Sequence, residues 1–265
     1  VEMEKEKAMY NVVMRTPECL VIDDFLPEEA QDKILNQVQV DEWEQTQGDD
    51  KFWHYTDGAN YKNQKRWQGK YPYGDNCDVW FEHFNKFLNE YEHIGDYVEG
   101  GKFEDYAMRC HAYPVNSKNP WHSDLGFTTY TYYLHKEWHI NWDSTLLIVP
   151  MGSVPEYSQW IELMEGTKHY DSYKELRSPM EMFQQKEKYK SIIDKGVGTF
   201  VSPKPNRLVL IQKNSVHGIT RVDPDAGDTI RVTLTGAIGE VGWRDRVKRL
   251  ADAEIKEDGK VGIKK

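Results

Sequence analysis

The sequence predicts a mainly β fold with supporting helices: a double-stranded β-helix, or jelly-roll, core with N-terminal helices and a helical insertion. Three observations carry this expectation. Short runs rich in β-branched and aromatic residues recur through the second half of the chain: 106–113, 127–134, 145–149, 198–201, 207–211, 217–222 and 229–237. Turn formers separate them, among them Pro114, Asn119-Pro120, Pro150, Pro203, Pro205, Asn214, Pro224 and Gly227. The clear amphipathic helical patterns, by contrast, lie in the first hundred residues, so strands follow helices without the strict alternation of an α/β protein.

Each element has a local reason. Leu20-Val21-Ile22-Asp23-Asp24-Phe25 reads as a short strand, and Leu26-Pro27-Glu28-Glu29 as a helix start, with proline in the first turn and carboxylates at the positive end of the helix dipole. Ala30, Ile34, Leu35 and Val38 continue that helix at helical spacing. Residues 41–76 show no period and are expected to form loops with short strands. Trp80, Phe81, Phe84, Phe87, Leu88 and Tyr91 outline a second amphipathic helix. Residues 152–196 read as a helical insertion, and 243–257, with Val247, Leu250, Ala251 and Ile255, as a terminal surface helix. With no repeat and no linker, residues 1–265 are expected to form a single domain: helical support over 20–105, the jelly-roll core over 106–238, and a C-terminal helix and tail over 239–265.

Composition bounds the partners. The chain has 265 residues, a net charge of −10 and a mean hydropathy of −0.79. This acidic balance disfavours bulk nucleic-acid binding, though not a local basic groove. The aliphatic runs 146–149 and 208–211 are far too short to span a membrane. The charged opening residues lack the apolar core of a secretory leader. Cys19, Cys77 and Cys110 are odd in number and lack close pairing, as expected of a reducing, cytoplasmic setting. Nine Trp and sixteen Tyr are an unusual load for so polar a chain.

His122-Ser123-Asp124 is the first candidate for chemistry. On an extended segment residues i and i+2 face the same way, so imidazole and carboxylate converge. A second histidine from a neighbouring strand would complete a facial triad with three open coordination positions, the arrangement of non-haem Fe(II) oxygen chemistry. The motif alone is weak, since His169-Tyr170-Asp171 repeats it inside the insertion without strand flanks. Downstream, His217 opens one strand and Arg231-Val232-Thr233 lies in another. An arginine in an apolar strand calls for a buried anion, either a structural carboxylate or a bound dicarboxylate. Sequence signatures of phosphate-binding loops, dinucleotide folds and nucleophile elbows are missing.

The ordered set His122, Asp124, His217 and Arg231 resembles the 2-oxoglutarate/Fe(II)-dependent dioxygenases, above all the prolyl-hydroxylase-like branch. Val21-Ile22-Asp23-Asp24-Phe25-Leu26-Pro27 is similar to that branch's opening strand and helix. Tyr113-Pro114-Val115-Asn116 matches its Tyr-Pro-x-Asn segment. Residues 129–138, Thr-Tyr-Thr-Tyr-Tyr-Leu-His-Lys-Glu-Trp, resemble its Thr-x-x-Tyr-Tyr-Leu-Asn-Lys-x-Trp strand, and Pro203-Lys204-Pro205-Asn206-Arg207-Leu208-Val209 matches the strand before the distal histidine. The resemblance spans about 20–238, excluding the insertion.

It implies iron held by His122, Asp124 and His217, and Arg231 paired with the distal carboxylate of 2-oxoglutarate. Thr233 would face the same pocket, and Tyr113, Thr129 and Tyr133 would place hydroxyls around the cosubstrate. O2 is the co-reactant and ascorbate the expected reductant. The implied activity is hydroxylation of an unactivated C–H bond, first of a prolyl residue in a peptide or protein. A free amino acid or other small metabolite is the alternative substrate, and a non-catalytic cupin-like binding protein the alternative of another class. Two departures touch the substrate side: Trp142-Asp143-Ser144-Thr145 stands where the branch has Trp-Gly-Gly-Glu-Thr, and His135 where it has asparagine. Asp124 argues against the related halogenases, which carry a small residue there. Trp121, His135 and Trp142 are the candidate substrate contacts, with core packing the alternative for Trp121. Segments 41–76 and 152–196 are candidates for a substrate-facing loop and a lid, or else carry half-buried surface aromatics.

Overall fold

The computed structural model describes residues 10–40, 43–46, 66–69, 78–106, 108–122, 124, 127–150, 192, 194, 196–241, 253–255 and 261–263. Strands β1 (Asn11–Arg15) and β2 (Cys19–Asp23) lead into helix α1 (Glu28–Val40). After β3 (Trp43–Thr46) and β4 (Arg66–Gly69) comes helix α2 (Asp78–Glu90). The remaining strands are β5 (Phe103–Tyr106), β6 (Arg109–Tyr113), β7 (Asn119–His122), β8 (Thr128–Tyr133), β9 (Leu146–Ile148), β10 (Thr199–Val201), β11 (Leu208–Ile211), β12 (His217–Ile219), β13 (Arg231–Glu240), β14 (Ala253–Ile255) and β15 (Val261–Ile263).

They form two main antiparallel sheets, as expected of a jelly roll. The larger runs β1-β2-β11-β8-β13-β6-β4-β3, with β5 also on β13; the smaller runs β10-β9-β12-β7. Period-two alternation divides the apolar strands of the large sheet between two cores. Leu20, Ile22, Tyr130, Tyr132, Leu208 and Leu210 face the helices. Cys19, Val21, Tyr133, Val209 and Ile211 face the other way, where Leu146, Ile148 and Val201 of the small sheet meet them. Strands covered on both sides need uninterrupted apolar runs, which is why 208–211 reads Leu-Val-Leu-Ile in a polar chain.

The helices cover the outer face of the large sheet. Proline precedes α1, Glu28 and Glu29 occupy its first turn, and Ala30, Ile34 and Val38 are buried. On α2 the buried residues Trp80, Phe84, Phe87 and Leu88 make one stripe. Ring centroids lie 4.9 Å apart for Trp80–Phe84, 4.4 Å for Phe84–Tyr130 and 5.4 Å for Trp80–Tyr130. Such pairs add about 0.5–1.5 kcal/mol each beyond their buried area. Part of the aromatic surplus is therefore structural.

Two sequence-distant segments are physically joined. The Arg207 guanidinium grips Asp23 with Nε to Oδ1 at 2.6 Å and Nη2 to Oδ2 at 3.1 Å, and Lys204 Nζ adds a contact at 2.8 Å. Burial pushes the Asp23 carboxyl up, but these two cations outweigh it and hold the carboxyl below its ordinary range. Asn206, at φ 60°, accepts from Leu26 N at 2.9 Å and from the Tyr132 hydroxyl at 2.9 Å, and donates to Leu26 O at 2.7 Å. This clamp locks the β2–α1 connection to the turn entering β11.

Several expectations need correction. β1, which no sequence pattern marks, pairs with β2 as an edge strand whose residues are mostly exposed. The run 106–113 is divided, with β5 and β6 both pairing to β13. Asn119-Pro120, read as a turn, begins β7, where proline is tolerated because β7 is the edge of the small sheet. The end of the expected terminal helix is instead β14, paired antiparallel with β15. The insertion at 152–191, most of 41–76 and residues 243–252 lie outside the described residues. Among the described residues no helix is long and apolar enough to cross a membrane, and Cys19 and Cys110 are buried and not joined in a disulfide.

Candidate active site

His122 ends β7 and His217 begins β12, and the register makes them direct cross-strand partners. Their ring centroids are 4.3 Å apart. Asp124 lies two residues past the end of β7, with Oδ1 3.8 Å from His122 Nε2 and Oδ2 3.6 Å from His217 Nε2. One ligating atom from each residue lies within 4.8 Å of the others, a group able to hold a metal ion. Two imidazoles and one carboxylate suit non-haem iron better than Mg or Ca, which prefer all-oxygen sites.

The surroundings prepare these groups as ligands. His217 Nδ1 is 3.1 Å from Ser215 O, and a carbonyl only accepts, so Nδ1 carries the proton and the Nε2 lone pair faces the cluster. The Thr129 hydroxyl donates to Asp124 Oδ2 at 2.9 Å. Burial pushes the Asp124 carboxyl up, yet His122, His217 and the Thr129 hydrogen bond prevail and keep it below the usual carboxylate range. Burial, aided by His122, pushes His217 down to about 4. At neutral pH both are deprotonated, as metal ligands must be.

Arg231 is fully buried at the start of β13, in the other sheet. Its carbon Cζ lies 4.0 Å from the centre of the Tyr113 ring and 5.9 Å from that of Tyr133. Nη1 donates to Ser144 O at 3.4 Å, while Nε and Nη2 have no hydrogen-bond partner among the described residues. The buried hydroxyls of Tyr133 and Ser144 also lack partners there. A permanently charged guanidinium with unmet donors beside spare hydroxyls is a cradle for an anion.

The structure groups Arg231, Tyr113 and Tyr133, and register sets buried Thr233 opposite both His111 and Tyr133. The Thr129 hydroxyl, expected near the cosubstrate, is engaged by Asp124, so it orients a candidate metal ligand. Trp121 alternates with His122 and faces away, its ring so close to Gly218 that an added methyl there would sit 3.2 Å from it. Trp142 packs edge-on to Trp138 at 5.4 Å, in the small cluster containing Tyr113 and Val222. His111, unremarked in the sequence, is buried with Nδ1 3.4 Å from the Tyr113 hydroxyl; its i−2 position on the same strand was the available signal.

His135, a candidate substrate contact, is buried between two backbone carbonyls. Nε2 lies 2.8 Å from Pro203 O and Nδ1 3.2 Å from Val232 O; the neutral ring donates to only one of these carbonyls, the shorter contact marking Nε2–H to Pro203 O. Burial pushes its pKa down to about 4 from an ordinary 6.5, so the unfolded chain takes up the proton first on acidification. The folded pKa is depressed, so the stability this neutral ring contributes is complete above pH 6.5 and drains away as pH falls towards 4. Between pH 7 and 5 this amounts to about 2 kcal/mol. Denaturant titrations at the two pH values should show more than that loss in the wild type, since His217 is shifted likewise, and a loss smaller by about that amount in His135→Gln; equal losses would assign the effect to other groups.

Two antiparallel sheets, a His/Asp/His cluster on one and a buried arginine on the other define a jelly-roll protein equipped for a metal ion and an anion. The same fold is found in a prolyl hydroxylase from Trichoplax adhaerens, solved in complex with a hypoxia-inducible factor oxygen degradation domain peptide fragment: TM-score 0.54, 12% identity, covering 87% of each chain. A prolyl-4-hydroxylase from Pseudomonas putida aligns at TM-score 0.49 and 12% identity, over 84% of this chain and 92% of that one. HygX from Streptomyces hygroscopicus, solved with nickel and 2-oxoglutarate, aligns at 0.47 and 10%, over 84% and 83%. No protein-family model and no curated protein matches the chain.

Proposed function

We propose that the protein is a 2-oxoglutarate- and Fe(II)-dependent dioxygenase that hydroxylates an unactivated C–H bond. One observation carries the reading: a three-ligand metal cluster coexists with a buried arginine whose Nε and Nη2 have no partner among the described residues. A hydrolytic zinc site would account for the cluster but not for Arg231. A 2-oxo dicarboxylate suits both, with its keto-acid end for the metal and its distal carboxylate for the guanidinium.

His122, Asp124 and His217 would hold Fe(II). Bound there, Fe(II), 2-oxoglutarate and O2 supply the oxidising power, with 2-oxoglutarate leaving as succinate and CO2. The chain's own residues position and enclose. Arg231 and the Tyr133 hydroxyl orient the cosubstrate tail, Tyr113 covers the guanidinium, and Thr129 keeps Asp124 turned to the metal. Burial of Arg231, Tyr133 and Thr233 keeps bulk water from the cosubstrate tail.

For the substrate we propose a prolyl residue in a peptide or protein. The support is the shared fold with the Trichoplax enzyme, solved with a peptide, and the prolyl-hydroxylase-like segments at 21–27, 113–116, 129–138 and 203–209. The test is succinate release with Fe(II), O2, 2-oxoglutarate and ascorbate across prolyl peptides, free amino acids and small metabolites. Stimulation by prolyl peptides is the expected result. Stimulation only by a small molecule moves the substrate to that class, and no succinate under any condition, uncoupled turnover included, leaves the non-catalytic binding protein.

A further inference from the structure

The turn entering β9 departs from ordinary backbone geometry at two successive residues. Asp143 has φ 54° and ψ −128°, and Ser144 has φ 59°. Both are conformations that glycine adopts freely and other residues adopt at a cost of about 1–3 kcal/mol. Surrounding bonds hold the turn: Trp138 Nε1 donates to Asp143 O at 3.0 Å, and the Thr220 hydroxyl donates to Asp143 Oδ1 at 2.5 Å. Thr220 Oγ1 also accepts from Thr145 N at 2.8 Å, and Ser144 N donates to Arg221 O at 3.2 Å.

This turn sets Ser144 against Arg231. The Ser144 carbonyl receives Arg231 Nη1 at 3.4 Å. Its side chain is 1% exposed, with Oγ unpartnered among the described residues. Serine is thus doubly unfavourable here, strained where glycine would relax and carrying a buried hydroxyl without a bond. Both costs are recovered if the hydroxyl serves a ligand.

We propose that Ser144 Oγ donates a hydrogen bond to the same carboxylate that Arg231 receives, which makes Ser144 a binding residue for the distal end of a dicarboxylate cosubstrate. This rests on the 2-oxoglutarate reading above and extends it to a residue at which the sequence departs from the resembling family. Arg231 supplies charge and the parallel N–H fork, and Ser144 supplies a donor from the facing sheet's entrance turn. The carboxylate is therefore held from both sheets.

Equilibrium binding to the metal-loaded full-length chain under anaerobic conditions tests this, using 2-oxoglutarate and 2-oxobutyrate, which lacks the distal carboxylate. Ser144→Ala should weaken 2-oxoglutarate roughly tenfold or more, as expected for loss of a hydrogen bond to a charged group, and leave 2-oxobutyrate within about twofold of wild type. Ser144→Gly should show the same selective loss while raising the melting temperature, because it relaxes the backbone; it also guards against misfolding of the alanine variant. Wild-type affinity for 2-oxoglutarate in both variants, or equal losses for both ligands, overturns the proposal. Should the wild type bind metal but neither keto acid, the cosubstrate reading itself fails and this assignment falls with it.

Discussion

His122→Ala abolishes the visible charge-transfer band expected when Fe(II) and 2-oxoglutarate are added anaerobically to the wild type. The alanine removes one of three ligating atoms, whereas Asp124 and His217 alone present a carboxylate and one imidazole 3.6 Å apart. Iron affinity should fall by more than the roughly 10- to 100-fold that loss of an outer partner costs, and succinate production should vanish with it. The fold should survive: His122 ends an edge strand and is only half-buried, so its removal opens no core cavity. Circular dichroism and a melting temperature within a few degrees of wild type separate ligand loss from unfolding. A band of undiminished intensity in the variant would remove His122 from the metal site.

Arg231→Met produces the second large effect, and here stability and function should move apart. Truncating one partner of a buried charge pair typically costs about 2–5 kcal/mol of binding, so the 2-oxoglutarate requirement should rise roughly a hundredfold or more. Metal binding, carried by the other sheet, should be spared. In the ligand-free protein Arg231 is a buried cation stacked on Tyr113 with two nitrogens unpartnered among the described residues. Exchanging it for an apolar side chain of similar length is therefore neutral or stabilising, by up to about 4 kcal/mol where the original charge is poorly compensated. Arg231→Lys keeps the charge but not the planar fork or the stacking, and should recover only part of the affinity. Unchanged 2-oxoglutarate affinity in Arg231→Met would show that the anchor is elsewhere.

Much of the site was legible because its signals are periodic or chemically costly. His122 and Asp124 sit at i and i+2 on extended chain, and an arginine inside an apolar strand announces an anion. Less legible were roles that depend on the facing side chain. Thr129 shares a strand face with Tyr133, yet its hydroxyl is taken by Asp124. Trp121 and His122 are neighbours in sequence but occupy opposite faces of β7, and only pairing with β12 shows that Trp121 rests on Gly218. His135 looked like a substrate-side departure and is a buried clip between Pro203 and Val232. Asp143-Ser144, where the resembling family has glycines, carries its meaning in backbone angles that composition does not display.

The amino-acid sequence by itself determined the class of fold, since alternation, apolar runs and turn residues are local properties, and the family resemblance singled out His122, Asp124 and His217 as candidate ligands. It also accounted for the aromatic surplus on α2, whose stripe at helical spacing must find a partner surface. The tertiary structure alone decided the register that brings His217 opposite His122, the clamp joining Asp23 to Arg207, and the placing of Ser144 beside Arg231. Those depend on which distant strands pair and in what register. A shift of one residue would turn every side chain of a strand to its other face, and no local pattern encodes that choice.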